Sequence, residues 1–174
     1  MELYANIIGI VAVVLYVLSY QQKKRLHIII TNGISRAFYI LQYILLGAFS
    51  GAVLDVVGLL ISFCAAKKQM FEKRKLLPAV IVLMNVFIIA AGIASYQNGF
   101  SILSMLGVFF HTNAFWLKDE KKIRIISLLG CPCWMIYNFT SHAYGSALGD
   151  LITLFSIGTA MVRYDILKKE KTEK

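Results

Sequence analysis

Charge is scarce in this chain: 16% of its 174 residues are charged, against about 25% in an average soluble protein. A soluble domain must cover its surface with polar side chains, yet 59% of these residues are hydrophobic and the mean hydropathy is +0.70. That argues against a soluble enzyme. From Leu76 to Leu117 there is no Asp, Glu, Lys or Arg, a run of 42 residues with room for two helices of the ~20 residues needed to cross a bilayer. Strand-like alternation is missing as well, so a helical bundle is the structure that satisfies its backbone hydrogen bonds within the membrane. No phosphate-cradling glycine loop, HExxH, nucleophile elbow or paired catalytic motif is present, and enzymatic activity and a cofactor are not expected.

Cysteine and proline are rare too, with three and two residues. Cys131-Pro132-Cys133 matches the triplet with which transition-metal P-type ATPases hold soft metals. Those pumps need large cytoplasmic domains that this chain lacks, and Cys64 has no paired spacing, so ordinary packing is expected and no metal site. The N-terminus, Met1-Glu2-Leu3-Tyr4, lacks a basic n-region and a small-residue cleavage site, and span 1 is expected to be a retained helix.

The apolar runs predict seven helical spans, near 3–22, 27–48, 50–66, 77–95, 99–117, 124–141 and 144–162. Against 9 acidic residues stand 18 basic ones, a net charge of +9, and 17 of the 18 fall in alternate connectors or the tail. Lys23, Lys24 and Arg25 follow span 1, Lys67 to Lys75 follow span 3, Lys118 to Arg124 follow span 5, and Arg163 to Lys174 follow span 7. The positive-inside rule makes that face cytoplasmic and puts the N-terminus outside. The same charge could suggest nucleic acid, but topology and contact with anionic headgroups explain it, so the bilayer is the expected partner and nucleic acid is not. Only Arg36 lies inside a span.

At an offset of 95 the two halves align without a gap, with identities that include Lys23/Lys118, Ala48/Ala143, Ala52/Ala147 and Asp55/Asp150. Aromatic residues coincide at Tyr20/Phe115, Tyr39/Trp134 and Phe49/Tyr144. The expected architecture is an all-α integral membrane protein, one domain over 1–174. A first three-helix repeat takes residues 1–68, a basic loop and linker helix 69–98, a second repeat 99–164, and a basic cytoplasmic tail 165–174. Two three-helix repeats around one linker helix are parallel (3+1+3), an arrangement that in transporters places the ligand near the midplane between the halves.

The Leu45-Leu46-Gly47 end of span 2 with Gly51-Ala52, the segment from Cys133 to Phe139 in span 6, Gly145-Ser146, and the closing Arg163-Tyr164 carry a resemblance to the YgjV family of bacterial inner-membrane proteins over about residues 3 to 165. The resemblance implies a multi-pass protein of the inner membrane and no established activity. More distantly, the 3+1+3 layout is similar to the SWEET and PQ-loop superfamily of sugar and amino-acid carriers. Ser19-Tyr20-Gln21-Gln22 lacks the Pro-Gln pair of that superfamily, and of its four helix-kinking prolines only Pro132 has a match. Gating would then use other hinges, such as Gly33 and Gly130, or the protein does not cycle as a SWEET does.

Three ionisable residues fall inside spans. Asp55 and Asp150 lie about one turn in from the outer loops, where a charge costs at least about 2.5–3.5 kcal/mol on insertion scales. Each either faces an interior cavity or caps the start of its helix. Arg36, about 18 Å along its helix from the outer end, needs a partner, and Asp55 on the next helix is within reach. Such a pair serves an anionic substrate group or simply fixes helix packing. Asn32, Tyr39, Gln42, Trp134, Tyr137 and Asn138 lie around the supposed axis, where rings can stack on a small polar solute and amides can orient it; the rings would equally suit packing. His111 is either a proton-linked group or structural. The expected function is carriage of a small polar solute, with a non-transporting receptor or scaffold as the rival. A homo-oligomer is compatible with the sequence.

Overall fold

The computed structural model describes residues 2–166, with side chains from 4 to 164. Eight α-helices, α1 (Glu2–Tyr20), α2 (Arg25–Leu46), α3 (Phe49–Ala66), α4 (Lys68–Lys73), α5 (Leu77–Ala94), α6 (Ser101–Phe115), α7 (Glu120–Thr140) and α8 (Tyr144–Met161), are followed by a π-helical turn, Val162–Ile166, and no strand occurs among the described residues. Five of them, α2, α3, α5, α7 and α8, are long and apolar enough to cross a membrane, whereas Tyr4–Tyr20 of α1 and Ser101–Phe115 of α6 are shorter apolar helices. These seven helices fall on the expected apolar runs to within four residues at each end. The lysines of the expected tail, Lys168, Lys169, Lys171 and Lys174, lie outside the described residues.

The helix ends follow local chemistry. Asp119 caps α7 by accepting a 2.9 Å hydrogen bond from the Lys121 N–H, and Pro78 lies in the first turn of α5, where no N–H is needed. Gly47 ends α2 with φ +72°, a left-handed conformation that costs glycine nothing, and the Ala48 N–H returns to the Tyr43 carbonyl at 2.9 Å. The α7–α8 turn repeats this geometry 95 residues later: His142 has φ +59° and the Ala143 N–H donates to the Asn138 carbonyl at 2.9 Å.

Helix α2 packs between α1 and α3, and α7 packs between α6 and α8. The two triplets meet along two seams, α3 against α6 and α1 against α8, and α5 lies on the first seam only. A hydrophobic core is present, but the surface differs from that of a soluble protein. Large apolar residues such as Ile10, Ile44, Phe63, Phe87 and Phe155 are exposed, while Asn32, Arg36, Gln42, Asp55, His111 and Asp150 are buried. Such a surface is stable against hydrocarbon and not against water.

Two features depart from the sequence reading. The segment 68–73, expected to be loop, forms α4, braced by Glu72, which pairs with Lys68 at 3.7 Å on its own helix and with Lys118 at 3.3 Å on the α6–α7 connector. The basic residues at this end are also not all loop charge. Arg25 opens α2 and donates to the carbonyls of Leu117 and Ala65, each at 2.8 Å, and of Phe115, thereby satisfying the ends of α3 and α6. Buried Lys68 donates to the Trp116 carbonyl on the same seam. Buried Arg124, in the first turns of α7, reaches the Gln22 carbonyl at the end of α1 and lies 5.3 Å from the Tyr164 ring. Cations belong at helix C-termini, where carbonyls lack partners and the helix dipole is negative.

Candidate functional site

Between the triplets a chamber of about 20 Å³ is lined by Tyr16, Arg36, Tyr39, Tyr43, Asp55, Trp134, Asn138 and Asp150. That is space for about one water molecule. Helices α1, α2 and α3 contribute five of these side chains and α7 and α8 the other three. The larger spaces are apolar grooves on the outer face, such as one of about 220 Å³ between α2 and α3 lined by Ile29, Ile34, Leu59 and Phe63, and they suit lipid tails.

Arg36 forms the expected ion pair with Asp55 of α3. Its Nε donates to Asn32 Oδ1 one turn back at 3.1 Å, so Asn32 orients the guanidinium without reaching the chamber. Gly58 makes this possible: a Cβ there would lie 2.5 Å from the guanidinium. Asp150 has a different setting. It accepts one hydrogen bond, 2.7 Å from Asn138 Nδ2, and forms no ion pair among the described residues. Asn138 in turn accepts from the Tyr43 hydroxyl at 2.6 Å. Both aspartates are 3% exposed, and neither α3 nor α8 has a side-chain cap, so the alternative of helix-capping carboxylates is set aside.

Aromatic rings form one wall. Tyr43 stacks on Trp134 with centroids 6.0 Å apart and on Tyr39 at 6.1 Å, and Tyr16 meets Tyr39 edge-on at 6.0 Å. Below this wall Tyr16 Oη shares a 2.7 Å hydrogen bond with His111 Nε2, and His111 Nδ1 is 3.0 Å from the Gly107 carbonyl. His111 is thus held by two partners and lies outside the chamber lining.

Of the expected residues, Gln42 and Tyr137 do not reach the chamber. They tie the helices together beside it: Ser146 of α8 donates to Gln42 Oε1 at 2.7 Å and the Gly51 N–H of α3 donates to Tyr137 Oη at 2.8 Å. Gly130 is a site of close packing inside α7, since a Cβ there would lie 2.7 Å from the His111 ring, and Pro132 lies within the same continuous helix. A Cβ at Gly33 would make only ordinary contact, 3.5 Å from Leu59. Cys131 is buried and Cys133 half-buried, with no cluster of metal-binding side chains among the described residues.

Tyr16 and Tyr43 were not anticipated. A signal for both exists in the offset of 95, because Tyr16 lies 95 residues before His111 and Tyr43 lies 95 before Asn138, and each touches the residue at that offset. The Gly51–Tyr137 and Ser146–Gln42 bonds are likewise exchanged by the same offset.

The model of the Imp-YgjV family, described as bacterial inner membrane protein, matches residues 3–168. The chain therefore belongs to this family and is a protein of the bacterial inner membrane. No curated protein and no solved structure matches it.

Proposed function

We propose that the protein is a seven-span, N-out, C-in carrier of a small polar solute, built from two parallel triplets around the linker helix α5, with the chamber as its solute site. The observation that carries this reading is the convergence of Arg36, Asp55 and Asp150, on three helices from both triplets, upon one small space. Charged groups at such depth are costly, and in membrane proteins they face cavities or solute paths. Parallel repeats explain the pairing at offset 95. Exchanging α1, α2 and α3 with α6, α7 and α8 turns the α3–α6 seam into the α8–α1 seam, and a residue near the axis of that exchange meets its own equivalent, as Tyr16 does with His111 and Tyr43 with Asn138. Rocking of one triplet against the other about this axis would open the chamber to each face in turn. The distant likeness to SWEETs fits this picture and adds no residue to it, and no enzymatic step is assigned to the chain.

A second reading, a non-transporting scaffold, is favoured by the chamber's volume of about 20 Å³, which in this closed form holds no sugar or amino acid. Uptake into proteoliposomes across a panel of sugars, amino acids, amines and vitamins separates the two. A carrier gives saturable flux of at least one solute that falls to background in Asp150→Asn, and absence of both flux and binding throughout the panel favours the scaffold.

A further inference from the structure

The chamber's charges do not balance. Its three ionisable groups are one guanidinium and two carboxylates, and Arg36 is committed to Asp55 through their ion pair and to Asn32 at 3.1 Å. Asp150 has only the Asn138 amide at 2.7 Å. An amide donor orients a carboxylate but supplies no compensating charge, and an uncompensated charge at this depth is expensive. The surroundings favour a cation. Tyr43 is stacked between Tyr39 and Trp134 on the chamber wall, so within this series only the outer faces of Tyr39 and Trp134 are open to a cation, which ring faces attract more strongly as it loses water. In addition, the hydroxyl of Tyr39, a residue only 6% exposed that lines the chamber, has no hydrogen-bond partner and is a ready acceptor for an N–H donor.

We propose that the chamber selects solutes bearing a protonated amine, with Asp150 as counter-charge, the Tyr39 hydroxyl as acceptor, and the rings of Tyr39, Tyr43 and Trp134 as wall. The Arg36–Asp55 pair is internally neutral and holds α2 to α3. A space of about 20 Å³ accepts an ammonium head of the size of water, so anything larger than the head enters as the triplets separate. An anionic solute would meet two carboxylates and a guanidinium already engaged, and a neutral polyol would leave Asp150 uncompensated. This assignment rests on the chamber being the solute site and does not require that the solute be carried across.

The test uses the full chain in detergent micelles with Trp116→Phe, which leaves Trp134 as the one tryptophan of two. Methylammonium chloride is titrated while Trp134 emission is followed, with sodium chloride, sodium acetate and methanol as ionic, anionic and neutral controls. Methylammonium should give a saturable change that the controls do not. Asp150→Asn should weaken it at least tenfold, about 1.4 kcal/mol. The control Glu72→Gln removes a carboxylate on α4, outside the chamber lining, and should bind within about threefold of the parent. No response to methylammonium, an equal response to acetate or methanol, or full binding by Asp150→Asn each overturns the assignment; the first of these is expected if a proton neutralises Asp150. Should Asp150→Asn fail to elute as a monodisperse species, selectivity among the four titrants on the parent chain decides. Flux of an anionic or neutral solute without methylammonium binding overturns the amine and leaves the carrier standing, whereas absence of both removes both.

Discussion

The two triplets place a carboxylate at the same position and treat it oppositely. Asp55 in the first faces Arg36 on the neighbouring helix, while the second has Cys131 at the equivalent of Arg36, and among the described residues only Asn138 donates to Asp150. The helices around both sites are alike, down to the left-handed turns at Gly47 and His142 and the matching bonds that close them. What differs is charge. On the proposed reading, the half that balances its own buried charge is built for packing, and the half that does not is where a ligand's charge would have a use.

The largest effect should therefore appear in the first triplet. Arg36→Leu strands Asp55 and should lower stability by about 3–5 kcal/mol in thermal or denaturant unfolding in micelles, and Arg36→Leu/Asp55→Leu should recover most of that loss. Asp150→Asn breaks no ion pair and should change stability by less than about 1 kcal/mol, or raise it. Equal losses from Arg36→Leu and Asp150→Asn would erase the contrast.

Next in size are the neighbours of the two carboxylates. Gly58→Ala sets a methyl group 2.5 Å from the Arg36 guanidinium and should cost about 1–3 kcal/mol by displacing it. Its equivalent, Thr153, carries a side chain that bonds only the Gly149 carbonyl, at 2.8 Å, and Thr153→Ala should cost less than about 1 kcal/mol. The same unfolding assay ranks the two.

Smallest are the turns. His142 adopts φ +59° with a Cβ, and His142→Gly should raise stability by about 0.5–1 kcal/mol even with loss of its 2.9 Å bond to Tyr144. Gly47→Ala, where the new methyl meets nothing within 4 Å, should cost about 1 kcal/mol through backbone conformation alone. Opposite signs would show that the two turns are one structure with different residues.

Much of this was legible before any coordinates. Long runs without charge mark helices because a bilayer tolerates little else, and an arginine so deep in a span had few partners other than Asp55. The offset of 95 was legible as well, but as a list of identities, and the contacts on the axis are mostly unlike residues. Tyr16 meets His111 and Tyr43 meets Asn138, so a search for sameness passes over them. Both tyrosines also look like packing aromatics, which along their rings they are. The roles of Arg25, Lys68 and Arg124 were hidden because the positive-inside reading absorbs every basic residue in those connectors, including those that hold helix ends together. Gln42 and Tyr137 lie between chamber-lining residues on their own helices, Tyr39 and Tyr43 on α2 and Trp134 and Asn138 on α7, and it is the helix face, which a list of polar residues does not fix, that turns them to Ser146 and Gly51 instead.

The most direct test of the chamber as a carrier's site needs no knowledge of the solute. With Cys64, Cys131 and Cys133 replaced by alanine, Tyr39→Cys supplies a single thiol at the chamber wall, and membrane-impermeant thiol reagents are applied to right-side-out and to inverted vesicles. Alternating access predicts modification from each side in turn, with rates that a bound solute changes in opposite directions. A thiol that reacts from neither face, or from one face only, would mean that the chamber does not alternate and that the protein is not a carrier.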